Sequence, residues 1–280
     1  MTLHIFNPEN DLALACPSPY FIPTASARKM ADDLSALPVW WAQTGDAVCV
    51  DSVEVARCWA EGTGGICPEV RWVGRDGLPS DADVAPWGWS PLMVQRLLTG
   101  GADRSRLPDE ARLARYRELS NRRHAVDMLA YLCSPDSDLG QEWRDRLCGV
   151  SYYCTGEQDI IRRMRQYPET LLKAPWSGSG KGLRLGRGGY APPLSGWCLR
   201  QLREQGGVIV EPVYGKVSDF AMEFYADGTG IVRYTGLSVF LTTARGTYAG
   251  NWVASEEDKV RWLTDRVPLP LCQTLKRAVT

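Results

Sequence analysis

The chain has almost no net charge: its 32 Lys and Arg face 33 Asp and Glu, leaving a formal charge of -1 over 280 residues. Without a global basic field, nucleic acid is not a favoured partner, although a few local cations can still hold an anionic ligand. Long apolar runs are missing too. No stretch approaches the ~20 residues of a membrane-spanning helix. The start, MTLHIFNPEN, has too short an apolar run and no basic leader for a signal peptide. The nine cysteines (Cys16, Cys49, Cys58, Cys67, Cys133, Cys148, Cys154, Cys198 and Cys272) are scattered and form no Cys-x-x-Cys pair. A zinc site or a disulfide framework needs closer, paired spacing. The expectation is a cytoplasmic protein with reduced thiols and no membrane partner. There are only two histidines; His4 falls inside a strand pattern and reads as structural, and His124 has no partner that sequence identifies.

What is present describes a globular protein: 44% hydrophobic and 23% charged residues, in a chain long enough for two domains. Residues 2–6 form a β-rich run that stops at Asn7-Pro8, and 47–50 and 70–73 are similar short runs bounded by Gly, Pro or Asp. A helical stretch at 53–59 lies between them, so this part reads as a small α/β unit with a parallel sheet. Residues 82–86 suggest another strand ending in Trp87-Gly88-Trp89, with Ser90 capping a helix that carries Leu92, Val94, Leu97 and Leu98. Pro108-Asp109-Glu110 opens a helix running through Leu119, and Ser120 is placed as the cap of a second, with Ala125, Leu129 and Leu132 at helical spacing. The domain boundary is expected here, dividing residues 1–115 from 116–280.

Further on, Thr155-Gly156-Glu157-Gln158 fits a capping box before a helix bearing Ile160, Ile161 and Met164. Residues 170–174 read as a strand, followed by the loop PWSGSGKG and then the apolar run 208–210 with Glu211-Pro212 at its end. Asp219–Ala226 alternates strictly, Asp227-Gly228-Thr229-Gly230 supplies a turn, and 231–241 returns. An antiparallel hairpin with one polar face follows from that pattern.

The chemistry concentrates in Ser177, Gly178, Ser179, Gly180, Lys181 and Gly182. Small residues let backbone N–H groups surround phosphate oxygens, and Lys181 and Lys173 add positive charge. A flexible surface loop explains the same run without a ligand. Two familiar phosphate motifs fail: a Walker A loop needs Gly at position 175, which is Pro, and Ser/Thr at 182, which is Gly. The dinucleotide fingerprint fails at Leu183, where its third Gly belongs.

Taken in order, the segments LLKAPWSGSGKGLR and VIVEPVYGKVSDFAMEFYADG resemble the ATP-grasp family across about residues 120–251. The resemblance implies an N-terminal Rossmann-like α/β domain followed by an ATP-grasp domain with antiparallel sheet. Lys173 and residues 177–182 would hold ATP phosphates, and Glu211, Pro212 and Val213 would form the hinge against adenine. Arg123 would be a cationic nucleotide contact near a helix start, with a solvated helix face as the alternative for Arg122 and Arg123. Asp219 and Glu223 share a polar strand face that would point into the cleft or simply into solvent, and Arg233 on the return strand is a weaker phosphate candidate. The first domain would take the acceptor at Asn7, Glu9, Asn10 and Asp11, residues that turn formation and helix capping also explain.

Catalysis of that type needs Mg2+ held by carboxylates and an amide, from an acidic residue followed by a Glu-x-Asn run. None of Asn7, Asn10, Asn121 or Asn251 has an acidic residue two positions before it, and Glu256, Glu257 and Asp258 read as the start of a surface helix. No metal ligand or catalytic residue is therefore assigned, and the ATP-grasp domain is expected to be C-terminally incomplete. The implied activity is an ATP-dependent carboxylate–amine ligase acting through an acyl-phosphate on a small-molecule or peptide substrate. The alternatives are a non-catalytic nucleotide-binding module or fragment, and a small-molecule kinase.

Overall fold

In a computed structural model, residues 1–145, 149–178, 180–243 and 246–280 are described. The chain divides into two compact units, Met1–Asn121 and Arg122–Thr280.

The first unit runs β1 (Thr2–Ile5), α1 (Asn10–Ala15), α2 (Ala25–Asp33), β2 (Ala47–Cys49), α3 (Val53–Gly62), β3 (Arg71–Val73), β4 (Asp83–Pro86), α4 (Pro91–Thr99) and α5 (Glu110–Leu119). Its four strands form one parallel sheet in the order β3-β2-β1-β4. Because the chain leaves β3 at one edge and returns beyond β1, the strand order reverses between β1 and β4. Side chains alternate across the sheet. Leu3, Ala47 and Cys49 pack with Met93, Val94 and Leu97 on one face, whereas Val48 and Val50 pack with Ala42 and Ala56 on the other. Leu97 is fully buried, and burial of such a side chain is worth about 2–3 kcal/mol. The division falls after Asn121 because α5 runs unbroken across position 115 and sends Leu113 and Tyr116 into this core.

Helix starts follow the residue types. Thr24, Ser52, Ser90 and Asp109 each accept a hydrogen bond from a backbone N–H three residues on, a cap worth about 1 kcal/mol. The strand β1 is also tied at its beginning: Asp46 accepts from the N–H groups of Thr2 and Gln43 and contacts His4 Nε2 at 3.1 Å. Those backbone hydrogen bonds, Thr2's first, pull the Asp46 carboxyl down to about 2. His4 is thus part of the frame.

The second unit comprises α6 (Arg123–Leu132), α7 (Gln141–Arg144), β5 (Tyr152–Cys154), α8 (Glu157–Met164), β6 (Thr170–Lys173), β7 (Leu183–Gly186), α9 (Leu194–Gln205), β8 (Val208–Pro212), β9 (Asp219–Ala226), β10 (Val232–Thr242), β11 (Tyr248–Asn251), α10 (Glu256–Thr264) and α11 (Leu269–Val279). Two antiparallel sheets result, β5-β8-β6-β7 and β11-β10-β9. The first buries Leu172, Val208 and Val210 with Ile160, Met164, Trp197 and Cys198. In the second, Leu237 and Val239 pack with Leu263 and Cys272. The hairpin expected over Asp219–Ala226 is β9 paired to β10, with a register irregularity between Tyr234 and Gly236.

Two expected helix starts are corrected. Ser120 ends α5, donating its hydroxyl to Tyr116 O, and α6 begins at Arg123 with Arg122 at the cap position. Thr155 does not cap α8; Gly156 holds that position without a side-chain bond. In both cases a residue able to cap lies one or more positions outside the point where the chain turns helical. Burial pushes the thiols of Cys49 and Cys198 up to about 11 and that of Cys154 up to about 12, whereas Cys16 and Cys58 are exposed.

Candidate nucleotide cleft

Strand β6 alternates between faces: Thr170 and Leu172 are buried, and Leu171 and Lys173 line a cleft of about 1940 Å3. In the β6–β8 register Lys173 is opposite Ile209 and Leu171 opposite Glu211, so Lys173 and Glu211 are diagonal neighbours on one face. They form an ion pair at 2.6 Å, with 26% and 20% of their side chains exposed. Ser151 Oγ donates to the other Glu211 oxygen at 3.0 Å. Proximity to solvent keeps such a pair worth only about 1 kcal/mol, so a stronger anion can compete for the lysine.

The Gly-rich loop closes on itself beside this pair. Lys181 N–H donates to Gly178 O and Ala174 N–H to Gly182 O. A Cβ on Gly182 would stand 2.1 Å from Ser177 Oγ, so only glycine fits there. Gly180 has φ of 76°, and a Cβ there would meet Gly246 O at 2.7 Å, which seats the loop against the turn between β10 and β11. Arg122 fastens the other side: its guanidinium donates to Ala174 O and Ser177 Oγ, both at 2.7 Å, and to Ser177 O. The N–H groups of Ser177, Gly178, Gly180 and Gly182 make no hydrogen bond among the described residues, leaving donors of the kind that cradle phosphate. Ser179 lies outside the described residues.

Of the residues expected to bind ATP, Lys173, Gly180, Glu211, Pro212, Val213 and Asp219 line the cleft together. Arg123, Ser177, Gly178, Lys181 and Gly182 do not line it. Val213 N–H donates to Glu169 O at 3.1 Å, so this donor is already engaged in the frame. Polar cleft residues that the sequence did not assign to the nucleotide include Arg122, Lys216 and Thr242. Arg122 takes the place of its neighbour Arg123 in the lining, and Lys216 and Thr242 bracket Asp219. Lys216 Nζ lies 2.6 Å from both Asp219 Oδ2 and Thr242 Oγ1. The signal for Lys216 was its position three residues before Asp219; nothing local marks Thr242, 23 residues beyond Asp219.

The acids do not make a magnesium site by themselves. Each cleft carboxylate, Glu211 and Asp219, is already paired with a lysine. In the helix that follows, Ser255 caps α10, Glu257 and Asp258 pair with Arg261, and Glu256 is fixed by Tyr234, Leu237 N–H and Lys259. Burial opposes ionisation of Glu256, but those partners outweigh it and lower its carboxyl. Among the described residues no group of three His, Cys, Asp or Glu side chains gathers to hold a metal.

In the first unit, Asn7 is buried and spans the strand-order reversal: its amide donates to Gly88 O at 2.8 Å and accepts from Gly88 N–H at 3.1 Å. Gly88 in turn leaves no room for a Cβ, which would lie 2.1 Å from Asn10 Nδ2. Glu9 is buried and paired with Arg96, and Asp11 is exposed on α1. Trp87 stacks edge-on to Phe6 at 5.8 Å.

No family model and no curated protein matches the chain. Solved structures do. One is the N5-carboxyaminoimidazole synthetase of Staphylococcus aureus complexed with ADP, at 12% identity and a TM-score of 0.45, covering 99% of this chain and 63% of that one. D-cycloserine synthetase DcsG matches at 14% identity and a TM-score of 0.42, covering 93% and 77%. A RimK domain protein ATP-grasp of Sphaerobacter thermophilus matches at 16% and 0.34, covering 80% and 81%. The chain thus spans less than two thirds of the synthetase's length. Among the described residues no helix is long and apolar enough to cross a membrane.

Proposed function

We propose that the second unit binds ATP and that the protein is an ATP-dependent ligase of the carboxylate–amine type. The observation that carries this is the Lys173–Glu211 pair on the floor of a cleft roomy enough for a nucleotide, which Gly180 of the glycine loop also lines with an unused N–H. On this reading the phosphates take Lys173 and the loop, and Glu211 meets the adenine amino group as the hinge segment lines its edge. Lys216 adds a further cation to the cleft. The ligase would transfer the γ-phosphate to a carboxylate oxygen with release of ADP, and an amine would then displace phosphate from the acyl carbon. The chain's part is positioning and charge stabilisation. Magnesium would arrive with the nucleotide, and the acceptor would be a small molecule or peptide in the cytoplasm.

The test is thermal unfolding with ATP and magnesium, on the wild type and on Lys173→Ala. At a hundredfold excess over the dissociation constant, bound nucleotide adds about 2.7 kcal/mol of stability. That gain should be lost in the variant; an equal gain in both sinks the assignment of Lys173. Release of ADP with hydroxylamine capture of an acyl group separates the ligase from a binding module, and transfer to a hydroxyl would point to a kinase.

A further inference from the structure

The first unit contains a cavity of about 410 Å3, within the range of small-molecule sites, which the nucleotide reading does not use. It lies at the C-terminal ends of the parallel strands, where Ile5 and Phe6, Cys49, and Arg75 and Asp76 close β1, β2 and β3, with α2 and α4 as walls. This is the edge at which open α/β sheets present ligand sites. The floor is apolar, from Leu92, Met93 and Leu97.

Its charges are incompletely matched. Arg75 is neutralised by Asp32 and Arg96 by Glu9. Arg28 on α2 and Asp76 after β3 have side chains that make no hydrogen bond or ion pair among the described residues. Glu9, only 3% exposed, is half satisfied: one oxygen meets Arg96, and Oε2 is buried without any partner. A buried carboxylate oxygen demands a donor. A ligand carrying only negative charge would face Asp76 uncompensated and leave Glu9 Oε2 without a donor, one carrying only positive charge would face Arg28, and a purely apolar one would desolvate all of them.

We propose that this cavity binds a small zwitterion. Its amine serves Glu9 and Asp76, its carboxylate pairs with Arg28, and its apolar body rests on Leu92, Met93 and Leu97. No residue of the second unit takes part, but the site includes Glu9, which the ligase reading gives to the acceptor, and to that extent the proposal rests on that reading.

The experiment uses the full chain and ligand-observed NMR, with the protein amino acids in both enantiomers and short ω-amino acids as probes. At least one should bind saturably in the millimolar range or below. Its decarboxylated counterpart should bind about tenfold more weakly, the loss of one charge-assisted hydrogen bond, and its deaminated counterpart, which loses two, at least as weakly. Arg28→Gln, at an exposed helical position, should fold as the wild type does and lose about tenfold in affinity for the zwitterion. Glu9→Gln should weaken only amine-bearing probes, and Lys173→Ala should change nothing. Absence of saturable binding by every zwitterion, equal binding of the single-charge counterparts, or an unaffected Arg28→Gln overturns the proposal. Titration of ATP into the same wild-type sample reports separately on the nucleotide cleft.

Discussion

The polar side chains after β1 and those on the cleft face of the second unit are held in opposite ways. In the first, the residues following β1 are sealed: Asn7 and Glu9 are each 3% exposed, one locked to Gly88 and the other to Arg96. In the second, Lys173 with Glu211 and Lys216 with Asp219 pair at 2.6 Å on an open cleft face. Arg96 reaches solvent, but removing it strands the Glu9 carboxylate in low dielectric. A cleft pair has solvent to fall back on, so an arriving phosphate can take the lysine at small cost. Charge held for architecture and charge held for exchange differ in the burial of the carboxylate side chain, 2% exposed at Glu9 against 20% at Glu211.

The largest expected effect tests the sealed side. Arg96→Ala should destabilise the protein by about 3 kcal/mol, the lower end for a broken buried pair because Arg96 itself reaches solvent. Urea denaturation measures it, and a loss near zero would place Glu9 among the exchangeable charges. Next comes the cleft: Lys173→Ala should cost less than about 1 kcal/mol without nucleotide, yet forfeit about 2.7 kcal/mol of stabilisation by excess ATP. Calorimetry with and without ATP separates the two numbers.

Asp46 sharpens the contrast through pH. Its folded-state carboxyl sits near 2, below the ordinary value of 3.8, so the unfolded chain binds the proton more readily. The stabilisation is present in full above about pH 4 and is lost as pH falls toward 2, amounting to about 1–2 kcal/mol after allowance for solvent screening. Asp46→Asn should remove that acid-limb dependence from the unfolding curve. A comparable effect belongs to the loop: Gly180→Ala forces a side chain into a left-handed backbone and against Gly246 O. A cost of about 1–2 kcal/mol should appear with faster amide exchange at 180–183, and unchanged exchange would mean the loop does not depend on that seat.

Much of this was legible. The alternation of Asp219–Ala226 located β9 and its faces, and the spacing of short apolar runs located the parallel sheet. The strands β5 and β7 were not read, because Tyr152–Cys154 and Leu183–Gly186 are too short to show a period and owe their strand state to pairing with β8 and β6. In the candidate site, Lys173, Gly180, Glu211 and Asp219 were visible as residue types in order. Arg122 was passed over for Arg123 because its meaning is set 52 to 55 residues away, at Ala174 and Ser177. The closing of Gly182 on Ser177 depends on a backbone path that no composition states.

The buried thiols give each unit its own clock. A thiolate is the form that reacts, and Cys49, at about 11, lies in the first unit, whereas Cys154 and Cys198, at about 12 and 11, lie in the second. Near neutral pH these positions become reactive only when their own unit opens, while Cys16 and Cys58 label at once. The order in which the slow sites are modified therefore times the opening of one half of the molecule against the other, with no probe added to the chain.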